Sequence, residues 1–531
     1  MSIYNGYPIT DESDVHKDII LEKEKDIESF KAPEHDYEIE QESELDSNLD
    51  LHLKRGLKDR HISLIALGGI IGPGILVGAS LALSGGGPAS LIIGFGVTGI
   101  ISFIMMQSLG ELATRYPTGG TFSTLGNRFV DKGYGLTVGW CYVIIWIAVL
   151  ANEYNTVAAI LQFWSGDKVP LYGYILIFWF LFLAFANFGV SVWGEAEYWL
   201  TILKIAGLVA FYIFSIVYVS GGIPGSAKFG FHYFTNPGAF SNGFKGVANI
   251  FVYSSTFFSG VETVALASTE SRSPISAVPK AIRQTFYRII IIYMGISISY
   301  GLTVPYNDPS LSAGTKTLKS PISIALRRAG WDNGVHLVNT FILLTCISAI
   351  NSSIYIGSRT IVNLANEGGA PSFLKRVNKR GVPYFAVILM NLFGFLSLMN
   401  ISTGAAGAYN YIVNISGFAV FIVWGNICFY HIRFRQAMKI QGRSLSELKY
   451  KGWLYPWLPI AGIVLNVFLG LIQGWSYFKP FDWRNFIDSY VLIPFFFISY
   501  LFFKLIHKSK WVDLSQVDLD EGRRREDFDK E

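Results

Sequence analysis

Charge is scarce in this sequence. Asp, Glu, Lys and Arg make up 15% of its 531 residues, against roughly 25% in a soluble domain. Half of the chain, 51%, comes from the hydrophobic set, so there is too little polar surface to solvate an ordinary globular fold. Cysteine is nearly absent: Cys141, Cys346 and Cys428 each lie in an apolar run, which excludes a disulfide framework and a thiolate metal site. The histidines are scattered from His16 to His507 without ligand spacing, and no phosphate-binding loop occurs; neither a metal, a cofactor nor enzymatic chemistry is expected. Basic residues sit in short connections beside apolar runs, where topology and anionic lipid account for them, so a nucleic-acid partner is not expected. The early segment DESDVHKDIILEKEKDIE lacks the pattern of a cleavable signal, and insertion is expected to begin with the first spanning helix.

Long apolar runs are what the chain has in plenty. Taken between polar breaks they predict spans at 62–83, 89–110, 137–162, 171–189, 198–220, 246–266, 286–305, 336–361, 383–400, 407–430, 455–475 and 487–506, each near the length a helix needs to cross the hydrocarbon core. The reading is an all-α membrane protein with 12 transmembrane helices. Residues 1–50 hold 16 Asp and Glu against four Lys, and this acidic segment reads as a disordered cytoplasmic tail over 1–53. Residues 54–506 are expected to form the membrane-spanning domain and 507–531 a second cytoplasmic tail. Lys54, Arg55, Lys58 and Arg60 precede the first span, and the connections with Arg115 and Arg128, Arg272 and Arg283, Lys375 and Arg376, and Arg433 to Arg443 carry further positive charge. The positive-inside rule puts both termini in the cytoplasm. Lys316, Lys319, Arg327 and Arg328 dissent, in a long loop that the count puts outside.

The first span, HISLIALGGIIGPGILVGAS, is interrupted at its middle. Pro73 has no N–H to give, and Gly68, Gly69, Gly72 and Gly74 leave the backbone without side-chain support. Freed backbone cannot face lipid, so it faces protein or a polar cavity. There the N–H groups that start the second half-helix point at an anion, of which a carboxylate is the simplest. Close helix packing alone would explain the glycines but not the proline.

If spans one to five form one unit, about 62–220, then spans six to ten, about 246–430, form its inverted partner, with helices 11 and 12 added over about 455–506. Span six should then be broken too. It reads IFVYSSTFFSGVETVAL, where Ser255, Thr256 and Ser259 offer hydroxyls to free backbone, Gly260 loosens it, and Glu262 places an acid deep in an apolar run. Intramembrane ionisable residues are costly and point to function. Glu262 is one, Glu153 in span three and Lys204 in span five are two more, and each is a candidate for proton coupling. Phe257, Phe258 and Trp146 are aromatic surfaces for a substrate side chain. At the cytoplasmic mouth, Glu111 and Arg115 are expected to hold loop geometry together.

Three runs, RHISLIALGGIIGPGILVGA, GELATRYPTGGTFSTLGNRFVD and SAINSSIYIGSRTIVNLANEGGAPSFLKRVNKRGVPYFAV, resemble the fungal amino acid permeases of the amino acid–polyamine–organocation superfamily, and the whole chain looks closest to the broad-specificity members. The resemblance implies the 12-helix, 5+5 inverted-repeat fold with helices 1 and 6 broken, and uptake of L-amino acids with protons as the coupling ion. It also implies a place in the plasma membrane reached through the endoplasmic reticulum. It implies that the backbone of Ile70, Ile71, Gly72, Pro73 and Gly74 holds the substrate carboxylate. Ser255, Thr256, Phe257, Phe258, Ser259 and Gly260 would receive the amine and the side chain. Two hydroxyls common in such proteins are replaced here by Ile70 and Pro73. Lys17, Lys23, Lys25 and Lys31 would serve ubiquitin-directed removal. The rival readings are an amino acid sensor that does not transport, and a transporter of cationic amino acids or polyamines.

Overall fold

The computed structural model describes residues 71–117, 122–185, 190–225, 227–263, 279–280, 282–284, 287, 289–311, 320–378 and 380–522. Ile70 and the four tail lysines, Lys17, Lys23, Lys25 and Lys31, lie outside the described residues. The described part is helical throughout, apart from one isolated bridge between Phe478 and Phe481. Eight of its helices are long and apolar enough to cross a membrane, nine if Trp483–Tyr490 and Leu492–His507, bent by 44°, count as one span. The protein is an all-α, multi-pass membrane protein.

In chain order the helices are α1 (Gly74–Gly86), α2 (Pro88–Arg115), α3 (Phe122–Phe129), α4 (Lys132–Ser165), α5 (Leu171–Phe185), α6 (Val190–Val219), α7 (Gly243–Phe258) and α8 (Gly295–Thr303), the last entered through a π-turn at Ile289–Met294. They continue with α9 (Pro321–Arg328), α10 (Gly334–Asn366), α11 (Tyr384–Phe393), α12 (Asn400–Ile440), α13 (Trp457–Ile472), α14 (Trp483–Tyr490) and α15 (Leu492–His507). Each apolar run has a helix in its place, but α1, α5 and α7 are short. Helix α7 stops at Phe258, inside the 246–266 run in which a break was expected.

Local chemistry sets the joints. Gly87 has φ +85°, and Pro88 follows at the first helical position, where its fixed φ suits a helix start and its missing N–H costs nothing. The turn between α1 and α2 is strapped by the 239–241 segment, with Ser241 N–H donating to Gly86 O at 2.8 Å and Ala89 N–H to Ala239 O at 2.9 Å. Asp131 caps α4 by accepting from the Tyr134 N–H at 2.8 Å. It also accepts from Tyr500 Oη at 2.7 Å and Ser509 Oγ at 3.1 Å, tying the start of α4 to the end of α15. Burial pushes the Asp131 carboxyl up, but these donors and the Lys504 charge outweigh it and hold the group below the ordinary range.

Helices α4 and α12 form the middle of the bundle, packing on each other, with α10, α3 and α15 also against α4 and α13 against α12. At the ends bearing the basic connections, the expected pairing of Glu111 with Arg115 does not form. Glu111 is fully buried and takes both Nε and Nη2 of Arg435, the latter at 2.8 Å, the N–H of Gly452 at 2.7 Å, and His431 Nε2 at 3.1 Å. Arg115 reaches instead to Glu447 at 3.1 Å and Asp520 at 3.2 Å. The chain after α15 folds back over this end. Val512 N–H donates to Val130 O at 2.7 Å, Gln441 Nε2 to Leu514 O and Val517 O at 2.9 and 2.8 Å, and Arg128 meets Glu521 at 3.0 Å.

Candidate functional site

Two helix ends meet at the centre of the bundle. Helix α1 starts at Gly74 after Ile71, Gly72 and Pro73, and no side chain caps it. The first N–H groups of a helix have no partner within it and carry the positive end of its dipole. Ile71 and Pro73 are buried, Gly72 and Gly74 half-buried.

Opposite, α7 ends at Phe258, Ser259 is extended with ψ 138°, and Gly260 has φ +103°. That value suits a residue without Cβ. Glu262 then folds back, and both of its oxygens accept from the Gly260 N–H, at 3.1 and 3.2 Å, while Trp424 Nε1 donates to Oε2 at 3.2 Å. Helix α7 therefore ends in a turn at Ser259–Gly260, and Glu262 holds that turn.

The start of α1 and the end of α7 touch. A Cβ on Gly74 would lie 2.7 Å from Cδ1 of Phe257, so the Phe257 ring rests on the bare backbone of Gly74. Phe95 meets Phe257, Phe258 and Tyr293 edge-on, and Phe258 stacks on Tyr293 with centroids 3.5 Å apart. Tyrosines then secure the carbonyls: Tyr293 Oη donates to Phe257 O at 2.7 Å and Tyr300 Oη to Ile75 O at 2.9 Å. Ser320 Oγ donates to Leu76 O at 2.5 Å. One turn further along α1, Tyr409 occupies the space a side chain at Gly78 would need.

The hydroxyls expected at the break are engaged within the protein. Ser255 Oγ donates to Val252 O at 2.9 Å and approaches Gly417 O at 3.3 Å. Thr256 Oγ1 bonds Val413 O at 3.1 Å and Ser416 Oγ at 2.9 Å on α12. Ser259 Oγ donates to Thr256 O at 2.6 Å. Of the residues expected in helix 6, Phe257 is the one whose side chain lies against the helix 1 break. Trp146 is buried and meets Tyr142 edge-on at 6.1 Å.

The other expected ionisable residues form a second group. Lys204 Nζ donates to Ser348 Oγ at 2.6 Å and lies 3.3 Å from Glu197 Oε1. Ser348 Oγ lies 2.6 Å from each oxygen of Glu197. All three side chains are buried, Glu197 and Ser348 completely. Glu153 on α4 has Lys204 and Cys346 as neighbours, and Tyr409 on α12 borders Glu153 and Cys346. Lys204 and Glu153 thus come together, whereas Glu262 stands apart at the break. Glu197 and Ser348 were not singled out in the sequence. The spacing of Glu197 and Lys204, seven residues or two helical turns, was the available signal.

A cavity of 740 Å³ opens where α4 ends and α9 and α10 begin, lined among others by Gln162, Tyr172, Ser320, Ser323, Arg327 and Asn339. Ser320 links it to helix 1 through Leu76. Among the described residues no group of three His, Cys, Asp or Glu is placed to hold a metal ion.

The family model described as amino acid permease matches residues 61–516. The chain is 58% identical over 477 residues to the general amino acid permease AGP3 of Saccharomyces cerevisiae, covering 89% of this chain and 85% of that protein. It is 35% identical over 491 residues to the general amino-acid permease GAP1 of the same yeast, covering 90% and 81%. To that yeast's basic amino-acid permease it is 35% identical over 486 residues, covering 89% and 85%.

Proposed function

This chain belongs to the amino acid permease family, a family of transporters and not of enzymes, and from that premise we propose that it imports a broad range of L-amino acids together with protons across the plasma membrane. The observation that carries the reading is the contact between the start of α1, which no side chain caps, and the Phe257 ring at the end of α7.

In this reading the substrate carboxylate meets the N–H groups around Ile70 to Gly74, and the ammonium meets carbonyls at the end of α7, whose dipole is negative there. Phe257 closes the site, and its ring selects among side chains by area. Because Ser255, Thr256 and Ser259 are bonded to backbone and to α12, they hold the turn in shape and leave recognition of the amine to carbonyls. Glu262 has the same holding role. Proton coupling falls to Lys204 and Glu153, which are neighbours.

The full architecture belongs to this proposal: twelve helices, with repeat one at about 62–220 inverted relative to repeat two at about 246–430, helices 11 and 12 beyond, and both tails cytoplasmic. The end of α7 at Phe258, where Gly260 with φ +103° turns the chain out of the helix, supports it. The lysines Lys17, Lys23, Lys25 and Lys31 receive ubiquitin in this reading, and replacing all four by arginine should slow nitrogen-triggered turnover.

The test is uptake of a panel of labelled amino acids into cells lacking their own permeases, at acidic and neutral pH, with and without an uncoupler. Acid-stimulated, uncoupler-sensitive uptake of several neutral amino acids is expected. Uptake of arginine and lysine that leucine does not compete with would overturn broad specificity in favour of a basic amino acid carrier. Silence across the panel, with the protein at the surface, would overturn uptake itself.

A further inference from the structure

Lys204, Ser348 and Glu197 form a buried triangle in which the two steps through Ser348 Oγ are short, 2.6 Å each, and the direct Lys204–Glu197 hydrogen bond is longer, 3.3 Å. We propose that Glu197 is the inward proton acceptor of this permease, the station to which Lys204 hands its proton through the Ser348 hydroxyl. The proposal rests on the proton-symport reading above and assigns a further residue to it.

The geometry defines the direction of each bond. Lys204 has only donors when charged, so its 2.6 Å contact makes Ser348 Oγ the acceptor. The single Ser348 proton is then available to Glu197, whose two oxygens are both 2.6 Å away. In the transfer, a Lys204 N–H bond breaks as an O–H bond forms at Ser348. The original Ser348 O–H bond breaks as one forms on a Glu197 oxygen. An ammonium and a carboxylate become an amine and a carboxylic acid, serine regains its hydroxyl, and the triangle keeps its total charge. No charged species is left isolated in the membrane, which is the state burial penalises most.

Position along α6 supplies the direction. Glu197 is seven residues before Lys204, roughly 10 Å along the helix axis, toward the end of α6 that lies on the side of the basic connections. By the charge rule that is the cytoplasmic side. Glu197 is completely buried in this state, so release of its proton belongs to the inward-opened state of the cycle and leaves Lys204 as an amine, ready for the next proton from outside. The groups facing Lys204 from the packed helices are Glu153 on α4 and Cys346 and Ser348 on α10, and Tyr409 on α12 borders Glu153. Glu153 is the second acid that interacts with the amine, and the relay takes it as the group where a proton or a substrate ammonium arrives.

The experiment expresses the full chain in oocytes and records leucine-evoked current together with leucine/leucine exchange in preloaded cells. Exchange returns the carrier loaded and needs no net proton release, so the two readouts separate a relay from a merely structural contact. Wild type should carry one charge per leucine. Glu197→Gln and Ser348→Ala should each lower the current by about a hundredfold, with exchange reduced by less than about threefold. Ser348→Thr, which keeps a hydroxyl, should restore the current. Where Glu197→Gln fails to reach the surface, Ser348→Ala against Ser348→Thr decides. Current equal to wild type in Glu197→Gln, or current and exchange falling together, overturns the relay alone. Leucine transport without current in wild type overturns the symport reading, and the relay with it.

Discussion

Replacing Gly260 by alanine tests whether the helix 6 break is a device of transport. Gly260 holds φ +103°, a backbone conformation that costs a residue with Cβ about 1–3 kcal/mol. Its N–H is also the donor that both Glu262 oxygens share, so relaxing φ pulls the acid out of place. At about 1.4 kcal/mol per tenfold, the broken conformation should lose roughly 5- to 150-fold in population relative to its alternatives. The assay is initial-rate uptake of labelled leucine, divided by surface-labelled protein. Gly225 provides the control: it has φ +83°, and an added methyl there meets nothing within 4 Å. Gly225→Ala imposes a similar backbone insult away from the break and should leave transport per surface molecule unchanged. The reasoning fails if Gly260→Ala transports within about twofold of wild type per molecule, since no mechanism that uses this turn could then tolerate its strain.

Three further outcomes follow from contacts elsewhere. Gly74→Ala places a methyl 2.7 Å from Phe257 Cδ1, an overpacking of about 1–3 kcal/mol; uptake should fall and be partly rescued by adding Phe257→Leu, and full activity of the single variant would show that the breaks do not need to touch. Glu111→Gln removes one half of a buried ion pair with Arg435 and should destabilise the protein by about 3–5 kcal/mol, seen as a lower melting temperature in detergent; combining Glu111→Met with Arg435→Met should recover much of that loss, and equal damage by both would refute the pairing account. The contacts of the C-terminal segment should depend on pH in a defined direction. Hydrogen bonds from Arg443 first, then the charges of Arg443 and Arg115 against the opposing effect of burial, hold the Glu447 carboxyl below its usual range. A depressed carboxylate contributes stability that is complete above its unfolded value, about 4.3, and is lost as pH falls through its lower folded value. Protease cleavage within residues 512–521 should therefore stay slow from neutral to mildly acidic buffer and accelerate only in stronger acid, and release in mildly acidic buffer would refute the assignment.

The sequence made the scaffold legible because the bilayer is a strict solvent. Apolar length and loop charge are read directly from residues, and every expected run contains a helix. The turn that ends α7 was legible for a related reason: an acid two residues after a glycine is costly inside an apolar run unless opened backbone is there to receive it. Side-chain partnerships were less accessible. Glu111 and Arg115, four apart on one helix, look like a natural pair, yet the partner that completes the burial of Glu111 comes from α12, 324 residues away. Glu197 was hidden by its place at the edge of an apolar run, where polarity reads as the boundary of a span. Its partner Ser348 is 151 residues distant, and no periodicity links them.

What separates the acids at the centre of this protein is whether the chain itself satisfies them. Glu111 is met by Arg435, Gly452 and His431, Glu262 by Gly260 and Trp424, and Glu197 by Ser348 and Lys204. Glu153 has a side-chain hydrogen bond with Cys346, but its Oε2, like that of Glu367, is buried without a partner among the described residues. A buried, unmet carboxylate oxygen carries the full cost of its lost hydration, and that cost is removed when a proton or an ammonium arrives at it. Glu111 and Glu262 tie separate stretches of chain together, while the proposed relay assigns Glu153 and Glu197 to what the transporter carries. In the proposed relay, a cation arriving at Glu153 raises the energy of a charged Lys204, and the contacts with Ser348 and Glu197 give that proton somewhere to go.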